Sequence, residues 1–283
     1  MSTPVQDLID LLDLEPIEVN IFRGAQPKEN NPVLQRVFGG QVAGQALVAA
    51  ARTVEPDRAV HSLHAYFLRP GDMTIPILYE VDHIRDGRSF TTRRVVAIQH
   101  GRAIFNLQAS FQVPEEGYDH SEPMPNVTPP EDLPTTDERL SAAGLGWLQT
   151  HERPIDVRHV EDPVYLNNDI GRTVQHVWIK AKEKLPDDPI LHTCVVTYTS
   201  DMTLLDTALL PHGKVFGDTG LQMASLDHAM WFHRPFRADE WLLYAQHTPS
   251  ASGARGLAEG KIFTREGDLV ISVVQEGLIR KRR

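Results

Sequence analysis

Cysteine is almost absent: Cys194 is the only one in 283 residues. A lone thiol closes no intramolecular disulfide, so nothing calls for an oxidising compartment. Its neighbours Val195 and Val196 suggest a small core residue. Long apolar runs are missing as well, since none approaches the roughly 20 residues that span a bilayer. Positive charge is scarce. The net charge of -10 argues against nucleic acid or an anionic membrane as partner. An anionic small ligand stays possible where basic residues gather. The first residues carry Asp7, Asp10 and Asp13 where a signal peptide needs lysine or arginine. These absences predict a soluble, cytoplasmic protein.

What is present is an ordinary globular composition, 41% hydrophobic and 23% charged. It suits one large domain or two of roughly 140 residues. One stretch stands out: Ala224-Ser225-Leu226-Asp227-His228-Ala229-Met230-Trp231-Phe232-His233-Arg234-Pro235. It has a faint twin in Ser62-Leu63-His64-Ala65-Tyr66-Phe67-Leu68-Arg69-Pro70. Tyr66, Phe67, Arg69 and Pro70 align with Trp231, Phe232, Arg234 and Pro235, each pair 165 positions apart.

The surrounding pattern repeats too. Leu8, Leu11 and Leu12 at helical spacing predict a short amphipathic helix, and Ile17 to Gly24 a strand. Gly39 to Ala51 is small and mostly apolar on all sides, which predicts a buried helix. Gly39-Gly40 at its start resembles a phosphate-binding turn, but the dinucleotide spacing is missing; close packing is the simpler reading. Four strands follow, Val60 to Leu68, Ile75 to Ile84, Ser89 to Ile98 and Ala103 to Val113. Pro114 to Pro163 is proline-rich and acidic, a linker over the surface with a short helix around Asp137 to Leu148. Then the order returns: a strand at Thr173 to Lys180 and helical signal from Pro189 to Leu210. Strands at Leu221 to Phe236, Glu240 to His247, Ala254 to Phe263 and Asp268 to Ile279 complete it. The expected class is α+β, duplicated, with repeats at 1–113 and 171–283 joined by 114–170.

Val37-Phe38-Gly39-Gly40-Gln41-Val42-Ala43-Gly44-Gln45-Ala46-Leu47, His61 to Asp72, Asp227 to Phe236 and Val274-Gln275-Glu276-Gly277 occur in that order. Through these stretches the sequence resembles the type II acyl-CoA thioesterases, nearly end to end and most weakly between 114 and 170. The resemblance implies a double hotdog, two helix-plus-antiparallel-sheet repeats forming one continuous sheet around two central helices. It implies hydrolysis of fatty acyl-CoA to free acid and CoA. It also implies an aspartate, a hydroxyl residue and a glutamine as catalytic residues, here Asp201, Ser225 and Gln275. Serine replaces the threonine of the bacterial prototype.

The residues also admit plainer roles. Asp201 sits between apolar stretches, so it is either a helix cap or a buried carboxylate with a raised pKa. Ser225 lacks a Gly-x-Ser-x-Gly elbow, which favours orienting a water over covalent catalysis; otherwise it is a strand serine. Gln275 is an amide in an apolar strand, and Ala109 falls at its counterpart in the first repeat, which predicts one working site per chain. His64, His228 and His233 show no ligand spacing and read as structural, with His64 a possible second base. Asp227 should hydrogen-bond locally, and Trp231 and Phe232 should be core. Arg88, Arg93, Arg94 and Arg255 are candidates for CoA phosphates, but surface arginines are usually just solvated and none is assigned to the ligand. No metal or cofactor is expected. Open sheet edges predict a homo-oligomer. Two rivals remain: a hotdog hydratase or dehydratase, which would need an Asp and His pair that Gly39 to Ala51 lacks, and a non-catalytic acyl-CoA-binding module.

Overall fold

The computed structural model describes residues 2–26, 36–144, 153–163, 170–215 and 217–282. Helix α1 (Pro4–Leu12) starts at Thr3, whose side chain accepts from the Gln6 N–H, and it buries Val5, Leu8, Leu11 and Leu12. The single strand expected at Ile17 to Gly24 is instead a hairpin, β1 (Glu15–Glu18) and β2 (Ile21–Arg23). Asn20 turns it with φ 62°, a left-handed conformation that asparagine tolerates.

Helix α2 (Gly39–Ala51) is buried on nearly every side. Strands β3 (Ala59–Phe67), β4 (Leu78–Asp86), β5 (Phe90–Gln99) and β6 (Arg102–Gln112) follow. After the proline-rich stretch come α3 (Thr136–Ala142) and β7 (Ile155–His159). Next are β8 (Val174–Ala181), α4 (Pro189–Ser200) and a 3-10 helix (Leu205–His212). Strands β9 (Leu221–Ser225), β10 (Asp227–Phe232), β11 (Leu242–Ser252), β12 (Arg255–Thr264) and β13 (Leu269–Lys281) complete the chain. The helical run expected to Leu210 therefore breaks after Ser200. The long strand expected at Leu221 to Phe236 breaks at Leu226.

All the strands form one antiparallel sheet in the order β1-β2-β4-β5-β6-β3-β10-β13-β12-β11-β8-β7, with β9 pairing β13. The two halves join through β3 and β10. There His64 pairs with Ala229, its own counterpart 165 positions on, so a pseudo-twofold axis runs between them. The twin arginines do the same work, Arg69 donating to the Ala103 carbonyl and Arg234 to that of Leu269. Tyr79 and Tyr244, also 165 apart, are both fully buried.

The sheet curves around α2 and α4, which run antiparallel. A Cβ on Gly40 would lie 2.2 Å from the Tyr198 carbonyl oxygen, and one on Gly44 3.3 Å from that of Cys194. Glycine is what lets the two backbones come this close. Cys194 itself is fully buried.

The proline-rich segment is more than a surface connection. Between Pro154 and Pro163, β7 joins the sheet beside β8 as an edge strand. Its acids also have partners: Asp119 binds Arg234, Glu122 binds Lys261 and Glu131 binds Arg265. The Trp178 indole donates to the Thr128 carbonyl at 2.9 Å. The segment thus lies on the outer face of the second half. Of the helix expected at Asp137 to Leu148, residues 145–148 lie outside the described residues.

Candidate active site

Helix α4 ends at Ser200, and Asp201 is its C-cap in right-handed geometry. Its carboxylate does not serve its own helix. Oδ1 accepts from Gln275 Nε2 at 2.6 Å on β13 and from Ser225 Oγ at 3.2 Å at the end of β9. The Gly40 backbone N–H, in the first turn of α2, bonds to the same carboxylate. A Cβ on Gly39 would stand 2.6 Å from Asp201 Oδ2, so glycine is required there too. The three side chains predicted from sequence, more than 70 positions apart at the extremes, therefore meet at one oxygen.

Burial raises Asp201 to about 6, and the hydrogen bonds from Gln275, Ser225 and Gly40 pull against it. The residue keeps part of its surface open, but the carboxyl itself is enclosed. A second carboxylate nearby, Asp206 in the 3-10 helix, is pushed to about 7 by burial and by the Asp201 charge. The sequence signal for it was weak, an aspartate between Leu205 and Thr207. Arg36, just before α2, donates to the Met223 carbonyl at 2.8 Å and favours the charged form of Asp201. It too went unremarked in the sequence.

Gln275 is fully buried, and its Oε1 has no hydrogen-bond partner. Ala229 pairs with Val274, which sets His228 opposite Gln275. His228 is 1% exposed, its Nε2 lies 2.8 Å from Ser200 Oγ, and its Nδ1 is unpartnered. Burial depresses it to about 4, so the ring is neutral at ordinary pH and cannot act as a base by gaining and losing charge there.

The other candidates lie elsewhere. His64 is exposed on the outer face, its ring edge-on to Trp231 with centroids 5.1 Å apart, so it is no second base for Asp201. Trp231 belongs to that outer pair and is only half-buried, not core, because its position on β10 points away from the helices. Phe232 packs against the core. His233 bonds Ser272 Oγ at 2.9 Å, and Asp227 accepts from the Glu276 N–H at 2.6 Å. Arg93, Arg94 and Arg255 are paired to Asp86, Asp82 and Glu276. Among the described residues no group of three or more His, Cys, Asp or Glu could hold a metal, and no helix is long and apolar enough to cross a membrane.

This geometry can be set beside known proteins. Residues 26–112 match the model of the acyl-CoA thioesterase N-terminal domain, and 148–278 that of acyl-CoA thioesterase. Acyl-CoA thioesterase 2 of Haemophilus influenzae is 43% identical, with 99% of each chain covered. The chain belongs to the acyl-CoA thioesterase family. Acyl-coenzyme A thioesterase 8 of Mus musculus is also 43% identical, over 95% of this chain and 88% of its own. Among solved structures, the acyl-CoA thioesterase II TesB2 of Mycobacterium marinum superposes with a TM-score of 0.80 at 48% identity, covering 96% of this chain and 98% of its own. The α+β double-hotdog architecture expected from the sequence is the family's fold.

Proposed function

We propose that this chain hydrolyses acyl-CoA to the free acid and CoA by means of a water held between Asp201, Ser225 and Gln275. The supporting observation is the convergence of an amide and a hydroxyl on one oxygen of a carboxylate whose affinity for protons burial has raised. With Oδ1 so engaged, the other oxygen, Oδ2, is left to take a proton from water. The water oxygen attacks the thioester carbonyl carbon as Asp201 takes that proton. Collapse of the tetrahedral intermediate breaks the C–S bond, and Asp201 returns the proton to the leaving sulfur.

The oxyanion would meet the start of α2. The N-cap residue Phe38 supplies no side-chain cap, and in the first turn the Gly40 N–H bonds the Asp201 carboxylate, so the positive end of the helix faces the site. His228 lies opposite Gln275 across the β10–β13 pair and, buried, closes that side of the site.

Asp201→Asn is the decisive variant. It preserves shape and removes the base, and turnover of acyl-CoA should fall by about a thousandfold, within the usual range for a lost general base. Undiminished turnover would end the assignment. The absence of an Asp and His pair on α2 speaks against the hydratase or dehydratase reading. A purely binding role would show as acyl-CoA retention without release of thiol. We further infer a cytoplasmic protein that self-associates through surfaces including the open edges at β1 and β7, which sedimentation would test.

A further inference from the structure

β9 is the strand that brings Ser225 to Asp201, and one of its edges lies bare. It pairs with β13 from Ser225 opposite Gly277 to Leu221 opposite Lys281, and among the described residues with no other strand. The joint between the halves stops just short of it. The last backbone bond from β3 runs from the Phe67 N–H to the Leu226 carbonyl at 2.9 Å. The next two N–H groups, of Leu68 and Arg69, both turn to the Ile104 carbonyl. Arg36 takes up the joint at that point. Its Nη2 donates to the Met223 carbonyl at 2.8 Å. A bond from a permanently charged guanidinium is stronger than the neutral bonds of a strand pair. Ser225 therefore lies between two carbonyls held from the first half, those of Met223 and Leu226.

Arg36 is itself well anchored. The Val37 N–H donates to the Gly71 carbonyl at 3.0 Å, and the Phe38 ring stands edge-on to Tyr198 of α4 with centroids 5.1 Å apart. The same segment runs on into Gly39 and Gly40, which lie against the Asp201 carboxylate. One stretch of the first half thus meets Asp201 through its helix start and the Ser225 strand through its arginine. The Ser225 bond to Asp201 Oδ1 is 3.2 Å, against 2.6 Å for that of Gln275, so it is the one more exposed to a shift of β9. Three titratable groups surround Asp201. Asp206 is pushed up by burial and by the Asp201 charge, burial keeps His228 neutral, and burial with the Asp201 charge keeps the Tyr244 phenol protonated. None is a cation at neutral pH; Arg36 supplies the positive charge. Three residues ahead of α4, the matching place holds Pro186, which has no side-chain donor.

We propose that Arg36 is a positioning residue of the reaction, a clasp from the first half that fixes the edge of β9 so that the Ser225 hydroxyl reaches Asp201. Its charge also favours the ionised base. The inference rests on the catalytic reading above and gives the first half a part in it. The test combines Arg36→Gln, Arg36→Lys and Ser225→Ala, each assayed on one acyl-CoA across pH. Glutamine loses both charge and reach. Its kcat on the pH plateau should fall about tenfold with KM nearly unchanged. The acid limb of kcat/KM should move to higher pH, because the ionised carboxylate has lost its cation. Lysine keeps the charge, so the limb should stay where the parent has it, with kcat between the two. In Ser225→Ala the clasp has no hydroxyl to place, and adding Arg36→Gln should lower plateau kcat by no more than about twofold. Losses that multiply in the double variant, a rise in KM alone, or a limb that stays put in Arg36→Gln would overturn the proposal. So would a fall in thermal stability with kcat intact. Full kcat in Ser225→Ala by itself would refute the catalytic reading first, and the clasp with it.

Discussion

At one end of the paired helices the C-terminus of α4 meets the N-terminus of α2. At the other, α2 runs out beside the start of α4. The pseudo-twofold axis relates these ends, yet they are finished differently. In the second half, Gln275 on β13 faces Ala258 on β12 and reaches Asp201. In the first half the sizes are exchanged: Ala109 on β6 faces Arg93 on β5. The Arg93 guanidinium is 3% exposed and fills the junction, donating to Thr53 Oγ1 and the Thr53 carbonyl, both at 2.9 Å, and pairing with Asp86 at 2.7 Å. The helix starts differ as well. Asp188 caps α4 with a side-chain bond to the Ile190 N–H, whereas at α2 Phe38 offers no cap and the Gly40 N–H bonds Asp201 from the other helix. One junction is closed by a cation and a cap, and at the other a buried carboxylate takes the Gly40 N–H.

The connections explain how a duplicated fold becomes unequal. Seven residues, 52–58, join α2 to β3, whereas 201–226 join α4 to β10. The extra length supplies the 3-10 helix and β9, and with them Asp206 and Ser225. It also means that the helices start 150 positions apart, at Gly39 and Pro189, while the strands keep the offset of 165. A chain duplicated without that insertion would have no β9 and no hydroxyl at Asp201.

Three changes would break or sharpen this contrast. The largest effect belongs to the open end. Gln275→Ala removes the amide from Asp201 and should lower kcat by about a hundredfold, as lost preorganised donors do. Loss of thermal stability with kcat intact would reduce the amide to a structural strand residue. The closed end should answer in the opposite way. Arg93→Ala leaves an unfilled junction and strips Thr53 of two hydrogen bonds, and should cost about 2 kcal/mol of stability, with kcat/KM unchanged. Urea unfolding and steady-state assays would separate the two; a loss of activity without loss of stability would make the ends functionally linked.

The smallest effect is in the pH profile. Folding raises Asp201 from 3.8 to about 6, so the folded state holds its proton more tightly. Stability from this group is therefore fully present below pH 4 and fades as pH climbs through 6, while activity needs the ionised form. kcat/KM should rise with an apparent pKa near 6 and level off above it. A limb near 4 would place the working carboxylate in water.

Much of this was legible beforehand. The offset of 165 between Tyr66-Phe67 and Trp231-Phe232 predicts the duplication; that these equivalent strands form the joint between the halves only the structure shows. Ala109 opposite Gln275 already pointed to one working end. The break at Leu226 was not legible, since no glycine or proline falls between Leu221 and Arg234 and only pairing to β13 divides the stretch. Nor was the filled junction: Arg93 read as a surface arginine, and nothing local says that it turns inward to Thr53.

The sequence alone determined the duplication and the buried glycine-rich helix, because periodicity and residue type are local properties of the chain; Asp201, Ser225 and Gln275 were singled out only through the family resemblance. The tertiary structure decided which carboxylate is enclosed, which arginines are neutralised and which helix start meets a carboxylate from the neighbouring helix. Those depend on what lies across a sheet or at the far end of a neighbouring helix, and burial and charge are set by neighbours in space.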